Sequence, residues 1–331
     1  MSKKKVIAIA FSDLHINDWS KFNKDNQRTL NHFKVLSILV NEAEKNECPL
    51  LFCGDLLHKG ESISNELLEI LNQELMELQR VHQPWYILDG IIAISGNHDC
   101  SSTNTKDKPS SSWVKTLSNI YKIINCIDFK YYESKSSKIR IYGVPYLDHN
   151  LGLNDYIKDL EIDKSYRNIL LLHTDYPGAR DTDGMEVGTV ENLNTNLLQK
   201  FDLVLIGHIH KPQRLSKKVY MVGAPLQQRR TDKNCNLGYL KIYDDLSVKF
   251  VNLSDSFPKF IDVEKEEDIK DDGNYYTVID KRQINEGDSN VPKITKSLSK
   301  KRLVRRYMKA RGIKDDNKSD TLINILKQAE S

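Results

Sequence analysis

Ile91-Ile92-Ala93-Ile94-Ser95-Gly96-Asn97-His98-Asp99 is the stretch on which the reading of this chain turns. Its apolar half is too short for a helix and reads as a buried strand. It breaks into Gly-Asn, residues that favour a tight turn and would aim His98 into a cleft. The same grammar recurs on both sides. Upstream, Val6–Phe11 runs into Ser12-Asp13-Leu14-His15, and Leu50–Cys53 into Gly54-Asp55-Leu56-Leu57-His58. Downstream, Ile169–Leu172 ends on His173, and Leu203–Ile206 on Gly207-His208-Ile209-His210. Between them, Thr29–Lys45 and Ser64–Arg80 carry apolar residues at helical spacing, among them Leu67, Leu68, Leu71, Leu75 and Leu78. Strands alternating with helices predict α/β layers, in which strand carboxyl ends share one edge. From Gly143 onward, Val219–Val222, Gly238–Tyr243 and Ser247–Val251 predict further strands and a second sheet.

Each polar cluster alone could be a turn or a helix cap. Taken together they are a site, because every one follows an apolar strand and the shared edge brings them together. Six of the nine histidines, His15, His58, His98, His173, His208 and His210, fall in these clusters. Imidazole, carboxylate and amide oxygen suit zinc, manganese or iron, and the absence of thiolates argues against a structural zinc site. Two neighbouring cations need an anion between them, and Asp55 is the natural bridge.

The chain has 331 residues, 39% apolar and 29% charged, enough for a large core plus an appended module. Its net charge of +3 conceals an asymmetry. Lys293 to Lys318 holds eleven basic residues against Asp315 and Asp316, a net +9, so the remainder is near −6. The five cysteines, Cys48, Cys53, Cys100, Cys126 and Cys235, include no CxxC pair, which predicts a reducing compartment. The apolar run after Lys3–Lys5 is too short for a signal or a membrane span, so a cytoplasmic protein with no membrane partner is expected.

As a set, Asp13-x-His15, Gly54-Asp55, Gly96-Asn97-His98-Asp99, His173 and Gly207-His208-x-His210 resemble the five-part signature of the calcineurin-like metallophosphoesterases. The resemblance spans about residues 6 to 250. It implies an α/β fold, a four-layer α-β-β-α sandwich of two sheets flanked by helices, with two divalent ions at the strand ends. Asp13, His15, Asp55 and His210 would hold one ion, and Asp55, Asn97, His173 and His208 the other. An activated water would attack phosphorus while His98 protonates the leaving oxygen and Asp99 orients the His98 ring.

The surroundings of the signature point to a branch. Protein phosphatases of this superfamily place Asp-Arg-Gly after the second motif and an Arg after the third, where this chain has His58-Lys59-Gly60 and Cys100-Ser101-Ser102. Gly54-Asp55-x-x-His58 instead resembles the SbcD-like double-strand-break-repair nucleases, including recombination endonuclease subunits of large phages, and His58 would help position the scissile phosphate. That branch implies residues 1–256 as catalytic domain, 257–290 as a small capping domain, and 291–331 as a basic helical tail. The tail would dock on a coiled-coil SbcC-like ATPase close to DNA. A homodimer through the Ser64–Arg80 region is also expected, with manganese the foremost metal, ahead of zinc or iron. A small-molecule phosphodiesterase and a non-catalytic scaffold are the alternatives.

Overall fold

A computed structural model describes residues 4–187 and 193–279 of the chain. Two compact units divide it: one holds residues up to 261 together with 271–275, and of the other, residues 262–270 and 276–279 are described. The linker and basic tail read from Gly287 onward lie outside the described residues.

In the first unit, β1 (Val6–Phe11), β2 (Leu50–Phe52), β3 (Ile91–Ala93) and β4 (Ile124–Cys126) pair in parallel. A second sheet begins with β5 (Tyr131–Glu133), β6 (Ile139–Val144) and β7 (Arg167–His173). After a small antiparallel pair, β8 (Ala179–Arg180) and β9 (Glu186–Val187), that sheet gains β10 (Leu203–Gly207), β11 (Gln213–Arg214) and β12 (Val219–Met221). The chain then returns, with β13 (Gly238–Tyr243) antiparallel to β1 and β14 (Val248–Asn252) antiparallel to β13. The orders are β14-β13-β1-β2-β3-β4 and β11-β12-β10-β7-β6-β5. Of the three late strands expected to build a second sheet, only β12 lies in it; β13 and β14 close the first. β15 (Phe260–Val263) and β16 (Tyr275–Val278) form a two-stranded sheet.

Period-two alternation explains why the apolar runs are continuous: both faces of each central strand are buried. In β7, Ile169 and Leu171 face the space between the sheets, while Leu170 and Leu172 face outward onto Leu153, Ile157 and Phe201. β10 does the same with Leu203 and Leu205 against Val204 and Ile206. On the far side of the first sheet, α1 (Gln27–Lys45), α2 (Asn65–Val81), α3 (Gln83–Leu88) and α4 (Trp113–Ile120) cover Phe11, Leu50 and Phe52. α5 (Leu153–Asp159) covers the second sheet, which completes a four-layer α-β-β-α sandwich. Ser64 caps α2 by accepting the Leu67 N–H at 3.1 Å. Leu67, Leu71, Leu75 and Leu78 are buried on that helix, but Leu68 is turned to solvent, one position off the inward stripe. All five cysteines are free, and no described helix is long and apolar enough to cross a membrane.

His32 on α1 ties this helix layer to the site. It is fully buried, with Nδ1 2.8 Å from the Arg28 carbonyl and Nε2 3.2 Å from Gln228 Oε1. Burial pushes the imidazole down to about 4, against the opposing pull of Gln228. The unfolded chain therefore takes up the proton first, and stability present above about pH 6.5 drains away as pH falls toward 4, by about 3 kcal/mol at the low end. Urea unfolding at pH 7 and pH 4.5 checks this: His32→Gln should flatten the difference, and an unchanged pH dependence in the variant would exclude His32 as its source.

Candidate metal centre

The five polar clusters lie at the carboxyl ends of β1, β2, β3, β7 and β10, on one edge of the sandwich. The turns that hold them are locked to each other through main chain. Asp13 N–H donates to the Gly54 carbonyl at 2.9 Å, His15 N–H to Asp55 O at 3.0 Å, and His208 N–H to both Asp13 carboxylate oxygens at 3.1 Å. Asp13, His15, Asp55 and His208 sit at φ of 53°, 50°, 64° and 96°, in the left-handed half of backbone space. Gly96 is required by close approach, because a Cβ there would run into the Asp55 carboxylate.

Two groups of donors result. In one, Asp13, His15 and His210 converge, with the two Nε2 atoms 3.2 Å apart and Asp55 Oδ2 3.6 Å from His15 Nε2. In the other, Asp55 Oδ2 is 3.3 Å from His173 Nε2, and Asn97 Oδ1 is 3.0 Å from His173 Nε2 and 2.9 Å from His208 Nδ1. Asp55 Oδ2 thus stands against both groups, while Oδ1 accepts the His98 backbone N–H at 2.8 Å.

The outward ring nitrogens meet acceptors. His173 Nδ1 faces the Cys53 carbonyl at 2.7 Å, His208 Nε2 faces Asp175 at 3.3 Å, and His210 Nδ1 faces the buried Asp232 at 3.5 Å. A proton held outward leaves the inward nitrogen as a lone pair, so the centre gathers lone pairs and carboxylates around two points. That donor set fits two divalent cations. Electrostatics agree. Burial would raise the Asp55 carboxyl, yet His173 and His15 beside it hold it well below the usual range. Burial opposes a charged His173, and Asp55 overcomes it, lifting that imidazole to about 9. A cation at this position competes with the His173 proton, and affinity should therefore fall in acid.

Asp232 yields a direct test. Asp232→Asn removes the charge that orients His210 and should weaken divalent-ion affinity about 10- to 100-fold, read by calorimetric titration. Affinity within a factor of two of the parent would show that His210 needs no such support.

Residues 8–212 match the family profile of the calcineurin-like phosphoesterases. The chain belongs to that family. Phosphoesterases of this kind are metal-dependent hydrolases that bind two divalent ions, in agreement with the two donor groups. The chain is also similar to uncharacterized protein R555 of Acanthamoeba polyphaga mimivirus, with 23% identity over 241 residues, 70% of this chain and 17% of that protein. It therefore spans less than a fifth of that relative's length.

Beside the two donor groups, His15, His58 and His98 form a third close group. The His58 and His98 rings stack with centroids 5.3 Å apart at 13°, and His58 Nδ1 is 3.4 Å from His15 Nδ1. Burial first, then His98 and Lys59, push the His58 imidazole down to about 4, so it is neutral at pH 7. The expectation that Asp99 orients the His98 ring needs correcting. His98 Nδ1 is held by the His58 carbonyl at 2.7 Å, and the buried Asp99 carboxylate instead accepts the backbone N–H groups of Asp55, Leu56, Leu57 and Gly96 at 2.8 to 3.1 Å. Asp99 shapes the Asp55 turn.

Four residues escaped the sequence reading. Asp175 and Asp232 back His208 and His210, Gln228 donates to the Leu14 carbonyl at 2.9 Å, and the Trp19 ring lies 5.0 Å from His58. Ala224 N–H donates to the His210 carbonyl at 2.9 Å, and a Cβ on Gly223 would strike Pro212, so this pair shapes the His208–His210 turn.

Proposed function

We propose that this phosphoesterase is a nuclease that hydrolyses DNA phosphodiesters within a repair or recombination complex, with manganese as its working ion. The observation carrying this reading is the stacked His58–His98 pair beside His15. A phosphomonoester dianion is best gripped by fixed cations such as arginine forks. A neutral imidazole such as His58 suits the single charge of a diester, as a hydrogen-bond partner that adds no fixed charge.

Two divalent ions bound at the centre would activate the attacking water and offset charge on the phosphoryl oxygens. The chain's own groups do the rest. Asp55, pinned through Oδ1 to the His98 N–H, couples the centre to the acid. The His58 carbonyl fixes His98 by Nδ1, leaving Nε2 as the nitrogen that delivers a proton to the leaving oxygen. The basic run after Lys293 supports docking to a coiled-coil ATPase near DNA, and the exposed Leu68, Met76 and Val81 of α2 support pairing with a second copy.

Manganese-dependent hydrolysis of linear double-stranded DNA, bis-p-nitrophenyl phosphate and p-nitrophenyl phosphate tests the reading. DNA and the diester should be cut and the monoester spared. Preference for the monoester would refute it, and cleavage of the small diester alone, with the ATPase partner present, would leave a small-molecule phosphodiesterase.

A further inference from the structure

The loop joining β1 to α1 leaves an aromatic ring in the open. Phe22 is 40% exposed although it sits at φ 56°, a conformation bulky side chains avoid. Its ring stacks on Tyr275 (centroids 5.3 Å, 29°) and meets Phe260 edge-on at 6.0 Å. Both of those rings lie 5.3 Å from the buried Arg28 guanidinium, which donates to the Gln228 carbonyl at 2.7 Å and the Lys21 carbonyl at 3.2 Å. Arg28 lies 3.8 Å over Trp19, and Trp19 lies 5.0 Å from His58. A continuous series of π faces and one guanidinium therefore runs from solvent at Phe22 to the ring beside His98.

We infer that Phe22, backed by Tyr275, is a stacking platform for a nucleobase of the strand being cut. The inference rests on the nuclease reading and assigns it a substrate class, nucleic acid with an unpaired base near the scissile phosphate. Tyr275 stacks on Phe22, and the exposed part of Phe22 is where a base would stack. Arg28 is committed to carbonyls and rings. The charged residues flanking Phe22 in the loop, Asp18, Lys21, Lys24 and Asp25, sum to zero, so recognition here works through the ring face and is tolerant of base identity.

Equilibrium binding of a fluorescein-labelled oligothymidylate in EDTA, where nothing is cut, tests the platform. Phe22→Leu should bind about ten-fold more weakly and Phe22→Trp like the parent. The plots of log K against log salt for parent and Phe22→Leu should run parallel, because no phosphate contact is lost. The parent alone should prefer oligothymidylate over an abasic chain of equal length about ten-fold, a comparison that needs no variant. Equal binding of parent and Phe22→Leu to oligothymidylate, or the same deficit of Phe22→Leu on the abasic chain, overturns the platform. The nuclease reading fails separately, if the parent shows the stacking signature and yet cuts no DNA with manganese.

Discussion

On the nuclease reading, replacing His98 by alanine should lower manganese-dependent DNA hydrolysis by about two to four orders of magnitude at equal metal content, the range for loss of a general acid. The metal centre survives because its link to this position is main chain: the residue-98 N–H still donates to Asp55 Oδ1. What disappears is the ring that the His58 carbonyl holds by Nδ1 and that stacks on His58. The sharpest readout uses diesters with leaving groups of different basicity. An alkoxide needs a proton and a nitrophenolate hardly does, so the variant's deficit should be large on DNA and small on bis-p-nitrophenyl phosphate. Equal deficits on both substrates would mean that His98 positions phosphate and donates nothing.

Asp99→Ala should be the most destabilising single change at this edge, by about 4 kcal/mol or more. It strands four buried backbone N–H groups, each an expense of about 1–3 kcal/mol when left without an acceptor. Against a total stability of about 5–15 kcal/mol, that loss is large. Asp99→Asn, which keeps one acceptor oxygen in place, should lose roughly half as much. Urea unfolding measures both, and an alanine variant within about 1 kcal/mol of the parent would show that water or a relaxed turn satisfies the stranded donors. Because three of those donors belong to the turn carrying Asp55, the alanine variant should also bind divalent ions more weakly.

The strands and the residues gathered at the candidate metal centre were legible because each is local in its cause. A strand buried on both faces, such as β7 or β10, is a continuous apolar run, and its ligands are the next residues along. The supporting contacts were not legible. Gln228 reaches the Leu14 carbonyl across 214 residues, and Asp232 meets His210 through a turn with no signature of its own. Asp99 does not serve His98 although the two are adjacent, because consecutive side chains in a tight turn diverge and Asp99 points to the β2 turn instead. The placement of β13 beside β1 depends on pairing over 230 residues or more, beyond any local pattern.

Asp13, His15, Asp55 and His208 hold positive φ, in a region that disfavours L side chains by roughly 1 kcal/mol or more each. That disadvantage is met in folding by the main-chain bonds that lock these turns to each other. Donors held by main chain in this way would leave little ordering to oppose the capture of ions. Readiness of this kind is drawn from folding stability. A chain with these four turns relaxed would unfold less easily and hold its ions less tightly, so selection for a sturdier protein and selection for a tighter metal centre pull the same four residues in opposite directions.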